Sequence, residues 1–195
     1  MSCYWQFINL TVAKSAFNTT DTLSPEFERA TAWTGLINGF YNIVTFCVAF
    51  YLVTLARRHG ARFVHMGALL VAAVGLVIFP HITNQYMMLL PIFGLGIAWA
   101  SIMGVPYIMA VRMIPSTRYG VYMGIINMMI VIPMLIQNVT FGAVYTAMGD
   151  EPGNAITFAG VFLAIAAVAM LWIKEPPIVR DVDDLADAPL IGGGH

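Results

Sequence analysis

The chain has 195 residues, of which 59% are hydrophobic and 10% charged, with a net charge of −1 and a mean hydropathy of +0.80. A water-soluble domain carries roughly a quarter charged residues, so a soluble globular protein is excluded. The charges form short clusters without a basic stripe, which leaves no footprint for nucleic acid, and Cys3 and Cys47 are too few and too far apart for a disulfide framework or metal site.

The length is best counted in membrane spans of about 20 apolar residues each. Met1 to Phe17 is apolar and aromatic but short, with Lys14 near its end. It lacks the leading positive charge and small-residue cleavage site of a signal peptide, and reads as the outer end of a helix whose beginning is missing. A helix lying in the interface is the alternative. Residues 18–30 then form an extracytoplasmic loop.

The first full span is expected from about Thr31 to Ala56, ending at Arg57, Arg58, His59 and Arg62. The apolar stretch from Phe63 to Val111 is twice one span's length, and PHITNQ (Pro80 to Gln85) supplies the turn that folds it back. This gives spans near 63–79 and 86–111. Two more follow at about 119–145 and 155–173, separated by GDEPGN and closed by KEPP. The expected architecture is an all-α membrane protein of five complete spans after a truncated first helix. The tail, 175–195, is acidic and ends in glycines, as disordered segments do.

Alternating the spans puts Arg57, Arg58, Arg62, Arg112, Arg118, Lys174 and Arg180 on one side and only Lys14 and Arg29 on the other. Basic loops stay in the cytoplasm, so the C-terminus is expected there, in a multi-pass protein of the cell membrane.

A polar side chain inside a span needs a partner, so the distribution of such residues points to function. Residues 63–79 contain His65 alone near an end, where a solvated or capping role is expected, and 155–173 contain only Thr157. The other segments are richer: Tyr4, Trp5, Gln6, Asn9 and Thr11; Asn38, Tyr41, Asn42 and Thr45; Trp99, Ser101 and Tyr107; Tyr122, Asn127, Gln137, Asn138 and Thr140. The order is polar, polar, apolar, polar, polar, apolar, a three-helix pattern used twice. Amides also tie helices together without any further role, but such ties would not skip two helices so cleanly.

Aromatic rings with neutral amides and hydroxyls suit a sugar, the rings against its apolar face and the donors and acceptors on its hydroxyls. Asn38, Tyr41, Asn42, Trp99, Tyr107, Asn127 and Gln137 are therefore the candidate substrate-binding residues. Gly35/Gly39 and Gly120/Gly124 have the spacing that allows close helix approach, and Pro106 and Pro133 remove backbone donors inside spans. No HExxH, P-loop or GxSxG pattern occurs, so neither an enzyme, a cofactor nor a metal site is expected. No Asp or Glu lies within a span, so a proton-carrying carboxylate is not in this chain unless His65 or His81 takes its place.

GLGIAWASIMGVPYIM (Gly94 to Met109) and YGVYMGIINMMIVIPMLIQ (Tyr119 to Gln137), with LARRHGARFVH (Leu55 to His65) and DTLSPEFERATAWTGLINGFYNIV (Asp21 to Val44), resemble the C-terminal half of glycoside–cation symporters. These belong to the major facilitator superfamily, whose folds are built from three-helix repeats. The match is to the sucrose-transporter-like branch and its bacterial sugar-transporter relatives, over about Met1 to Glu175. The resemblance implies a twelve-helix protein of two six-helix bundles and proton-coupled uptake of a disaccharide or glucoside by alternating access. On that register the chain supplies the end of helix seven and helices eight to twelve. Its partners are then a sugar, a proton or other cation, the lipid bilayer and a missing N-terminal six-helix half that carries the acidic residue. A self-sufficient or paired half-transporter, and a non-transporting scaffold or sensor relative, are the rival readings. Alone, the bundle is expected to be poorly stable.

Overall fold

The computed structural model describes residues 2–113 and 118–173; the tail expected to be disordered, together with Lys174 and Arg180, lies outside the described residues. Within them the chain is all helical: α1 (Ser2–Phe17), α2 (Pro25–His59), α3 (Ala61–Ile78), α4 (Leu89–Met113), α5 (Tyr119–Ala147) and α6 (Pro152–Ala169). Single 3-10 turns follow α3 at Phe79–His81 and α6 at Met170–Trp172. Five of these helices are long and apolar enough to cross a membrane, and no strand occurs among the described residues.

The helix ends follow local chemistry. Helix α2 begins at Pro25, well ahead of Thr31, so residues 25–30 of the expected loop 18–30 belong to its first turns. Ser24 caps it: the hydroxyl accepts from the Phe27 backbone N–H at 3.2 Å, Pro25 takes the first helical position, and Glu26 and Glu28 complement the dipole. At 35 residues, α2 is about 52 Å long, more than a ~30 Å hydrocarbon layer requires. Gly60, at φ 91°, breaks the chain between α2 and α3, a conformation that residues with a Cβ rarely adopt. Helix α4 starts at Leu89 rather than Tyr86, because Asn84 holds the preceding turn by accepting from the Tyr86 N–H at 2.9 Å.

Five helices close a ring in the order α1–α2–α4–α3–α6, with α6 returning to α1. Lipid offers no hydrophobic force between helices, so close backbone approach and van der Waals packing must hold them. Glycines supply the approach, but not those with GxxxG spacing. Nothing lies within 4 Å of where a Cβ would stand on Gly35, Gly39, Gly120 or Gly124. A Cβ on Gly96 of α4 would instead lie 2.9 Å from the Tyr41 carbonyl oxygen of α2. One on Gly160 of α6 would lie 2.9 Å from the Ala73 carbonyl oxygen of α3, and one on Gly75 of α3 would lie 2.9 Å from that of Pro91. These three contacts seat α2 on α4, α6 on α3 and α4 on α3.

Helix α5 stands apart from the ring. Phe141 is its one buried side chain among those described. It leans on α1 and α6 through an aromatic run, Phe7 with Tyr145 and Phe141 at 4.5 and 5.5 Å between ring centroids, and Phe141 with Phe158 at 5.7 Å. At the same end of the bundle, Lys14 pairs with Glu151 and the Ser15 hydroxyl donates to the Pro80 carbonyl at 2.9 Å. Trp33 anchors α2 there too, its indole N–H donating to the Gln85 carbonyl at 3.1 Å.

Candidate substrate site

The polar side chains sort by depth. With a rise of 1.5 Å per residue, Gln6 lies about 17 Å from the Lys14–Glu151 end of α1, Asn38 about 20 Å along α2, Trp99 about 15 Å along α4 and Gln137 about 15 Å from the end of α5. All four therefore lie near the middle of a ~30 Å layer. At this level the aromatic groups cluster. The Trp5 and Trp99 rings meet edge to face at 4.9 Å, and Tyr4 and Tyr41 do so at 6.3 Å, with Leu95 packed between the pairs. Trp5 is exposed and Trp99 half-buried, so an indole corner is presented outward from α1 and α4. Tyr4 and Tyr41 are buried behind it; the Tyr4 hydroxyl donates to Asn38 Oδ1 at 3.4 Å.

Beside the corner lies a chain of amides. Gln6 Nε2 donates to Asn138 Oδ1 at 3.1 Å, and Gln137 Nε2 donates to Gln6 Oε1 at 3.4 Å. Gln6 is thus donor and acceptor at once, joining α1 to the otherwise loosely held α5. These amides retain exposed surface and unused donor and acceptor capacity, which hydroxyl groups of a ligand match. No described ionisable carboxylate or amine stands among them.

The seven sequence candidates separate into two groups. Asn38, Tyr41, Trp99 and Gln137 gather at the aromatic and amide level, Tyr41 buried as support and the other three half-buried. Tyr107 and Asn127 form a second level about 12 Å further along α4, where the Tyr107 hydroxyl donates to Asn127 Oδ1 at 3.3 Å and bridges α4 to α5. Asn42 is exposed between the levels and donates to the Asn38 carbonyl of its own helix at 2.7 Å.

A family model of the Major Facilitator Superfamily matches residues 2–190, almost the whole chain. The chain belongs to the major facilitator superfamily. No curated protein and no solved structure matched it. The superfamily is one of transporters embedded in membranes by many helices. In that light the apolar character of α3 and α6 is a matter of position: they pack on each other and away from the indole corner.

Trp5, Gln6 and Asn138 are not among the seven sequence candidates. Their residue types were visible, but α1 offers only 16 residues, about 24 Å, and its place against α4 and α5 depends on long-range packing. His65 is corrected. It is neither solvated nor a cap but buried, with Nδ1 2.7 Å from the Ser101 hydroxyl oxygen, also buried. Leu52, Val64, Ala100 and Val105 belong to the apolar cluster at that end of the bundle, which excludes water from the α3–α4 seam. His81 is exposed in the turn after α3. Among the described residues no His, Cys, Asp and Glu group of three could hold a metal ion.

Proposed function

We propose that the chain is the C-terminal six-helix half of a secondary transporter for a neutral sugar, a disaccharide or glucoside, of the glycoside–cation symporter branch. The observation that carries this is the mid-depth Trp5–Trp99 corner flanked by the Gln6, Gln137 and Asn138 amides. Indole faces pack on the apolar face of a pyranose ring, and neutral amides bind hydroxyls without the desolvation cost of a charge. Asn38, Trp99 and Gln137 are the candidates in first position, Trp5, Gln6 and Asn138 the additions, and Asn42, Tyr107 and Asn127 contacts along the path toward the basic end.

Alternating access needs two bodies that rock about a central site. The ring α1–α2–α4–α3–α6 with α5 is one of them. The second is an N-terminal half set against the open polar face. Helix α5 offers that half a groove of about 660 Å³ lined by Val121, Gly124, Ile125, Met128, Ile132 and Pro133. The proton-linked acidic group belongs to the other half, since no Asp or Glu occurs between Arg29 and the Gly149–Glu151 turn. The Arg57–Arg62 turn faces the cytoplasm of the cell membrane.

The test is sugar binding by the chain combined with an N-terminal half, measured by isothermal titration with sucrose and maltose. Saturable binding that Trp99→Ala weakens supports the assignment. Binding of a charged solute in place of both sugars refutes it.

A further inference from the structure

Asn38 and Asn42 stand one turn apart on α2 at mid-depth, and the direction of each amide is dictated from behind. Tyr4 is fully buried, its ring edge to face with that of Tyr41 at 6.3 Å. Among the described residues its hydroxyl has one partner, the Asn38 amide at 3.4 Å. A hydroxyl hydrogen buried away from water has to be given to an acceptor. An amide accepts only through its oxygen. Asn38 Oδ1 is therefore turned inward to Tyr4, and Nδ2 is the end left open on this half-buried side chain.

Asn42 is fixed in the opposite sense. Its amide bonds the Asn38 backbone carbonyl at 2.7 Å. A carbonyl can only accept, so Asn42 turns Nδ2 to the helix and leaves Oδ1 open on an exposed side chain. Residues four apart on a helix are neighbours, about 5–6 Å between Cβ atoms. One turn of α2 thus carries an open donor beside an open acceptor. Two adjacent hydroxyls complement that pair when one accepts and the other donates, as a vicinal diol on a pyranose ring can.

We propose that Asn38 and Asn42 read one vicinal diol of the sugar in a fixed sense, and that Tyr4 is the positioning residue that sets it. Asn38 Nδ2 donates to one hydroxyl oxygen, and Asn42 Oδ1 accepts from the hydroxyl beside it. The inference rests on the sugar reading of the site. Tyr4 does not touch the sugar, being buried behind the indole corner.

The first test needs neither sugar nor partner. The Raman doublet of a tyrosine ring reports whether its hydroxyl donates or accepts, and the difference spectrum between the full chain and Tyr4→Phe, both in nanodiscs, isolates Tyr4. A donating phenol is expected; an accepting or unbonded one overturns the proposal whatever the sugar does.

The second test titrates the chain combined with the proposed N-terminal half. Its ligands are sucrose or maltose, whichever binds more tightly, and analogues of it with one deoxy or deoxyfluoro position. Fluorine accepts a hydrogen bond but cannot donate one, and a deoxy position does neither. At the Asn38 position the deoxy sugar should bind about two- to ten-fold more weakly, the effect of one neutral hydrogen bond, while the fluoro sugar binds nearly as the parent does. At the neighbouring position both should weaken alike, and in Asn42→Ala neither should weaken further than the parent. Tyr4→Phe frees the Asn38 amide to turn, so it should weaken the fluoro sugar about two- to ten-fold while the parent keeps most of its affinity. Equal weakening of both by Tyr4→Phe marks a merely structural role and overturns the proposal. So does a parent sugar that binds while fluorine is tolerated nowhere. If neither parent sugar binds while the Tyr4 phenol donates, the sugar reading itself fails and the diol assignment falls with it.

Discussion

Gly96→Ala is the most exacting test of how the ring is held. The added methyl carbon would stand 2.7 Å from Val44 Cβ and 2.9 Å from the Tyr41 carbonyl oxygen, and a backbone oxygen cannot rotate away. Helix α4 must then move off α2, at about 1–3 kcal/mol for overpacking. The same shift weakens the bond from the Thr45 hydroxyl to the Gly96 carbonyl, 3.0 Å long, adding about 0.6 kcal/mol. Alanine is also the better helix former, by roughly 0.5–1 kcal/mol over glycine. Gly35→Ala shares that gain but meets nothing within 4 Å. The propensity term therefore cancels between the two variants, and Gly96→Ala should be the less stable by about 1.5–3.5 kcal/mol. Far-UV circular dichroism during unfolding in mixed micelles measures the difference. A Gly96→Ala protein as stable as Gly35→Ala would refute the packing argument.

Three further outcomes are expected. Ser101→Ala leaves His65 without its partner in an apolar seam and should cost about 1–3 kcal/mol, whereas the double change His65→Leu with Ser101→Ala should come closer to neutral; unfolding of the two variants beside the unchanged protein decides it. Breaking the Lys14–Glu151 pair with Lys14→Met should cost at most about 1 kcal/mol and less in high salt, because both side chains are partly exposed; a larger, salt-independent loss in thermal scans contradicts that. In the chain combined with the proposed N-terminal half, Trp5→Ala should raise the dissociation constant of the proposed sugar about two- to ten-fold while Trp5→Phe largely preserves it, as read by titration.

Much of the helical plan was legible in the sequence because charge and turn residues interrupt it at span spacing. Arg57 to Arg62, PHITNQ and GDEPGN each fall at a break between helices. The start of α2 was also readable, since Ser24-Pro25-Glu26 is a helix-opening signal, whereas the span length alone placed the helix from Thr31. Which glycines pack was not readable. GxxxG spacing records a possible surface, while Gly96 and Gly160 are used because Tyr41 and Ala73 happen to lie opposite them in the folded ring. The division of polar from apolar helices was visible in composition alone. The joining of Trp5 to Trp99 and Gln6 to Gln137 was not, as it depends on contacts between residues far apart in sequence. His65 was misread for the same reason: its burial comes from α4, not from its distance to a helix end.

The central claim is that this bundle carries a sugar only with a second six-helix half. Uptake of radiolabelled sucrose and maltose into proteoliposomes under an imposed proton gradient tests it most directly, comparing the chain alone with the chain plus an N-terminal half. The account predicts uptake by the pair, diminished by Trp99→Ala, and none by the chain alone. Uptake by the chain alone, or none by a correctly folded pair that binds neither sugar, would contradict it.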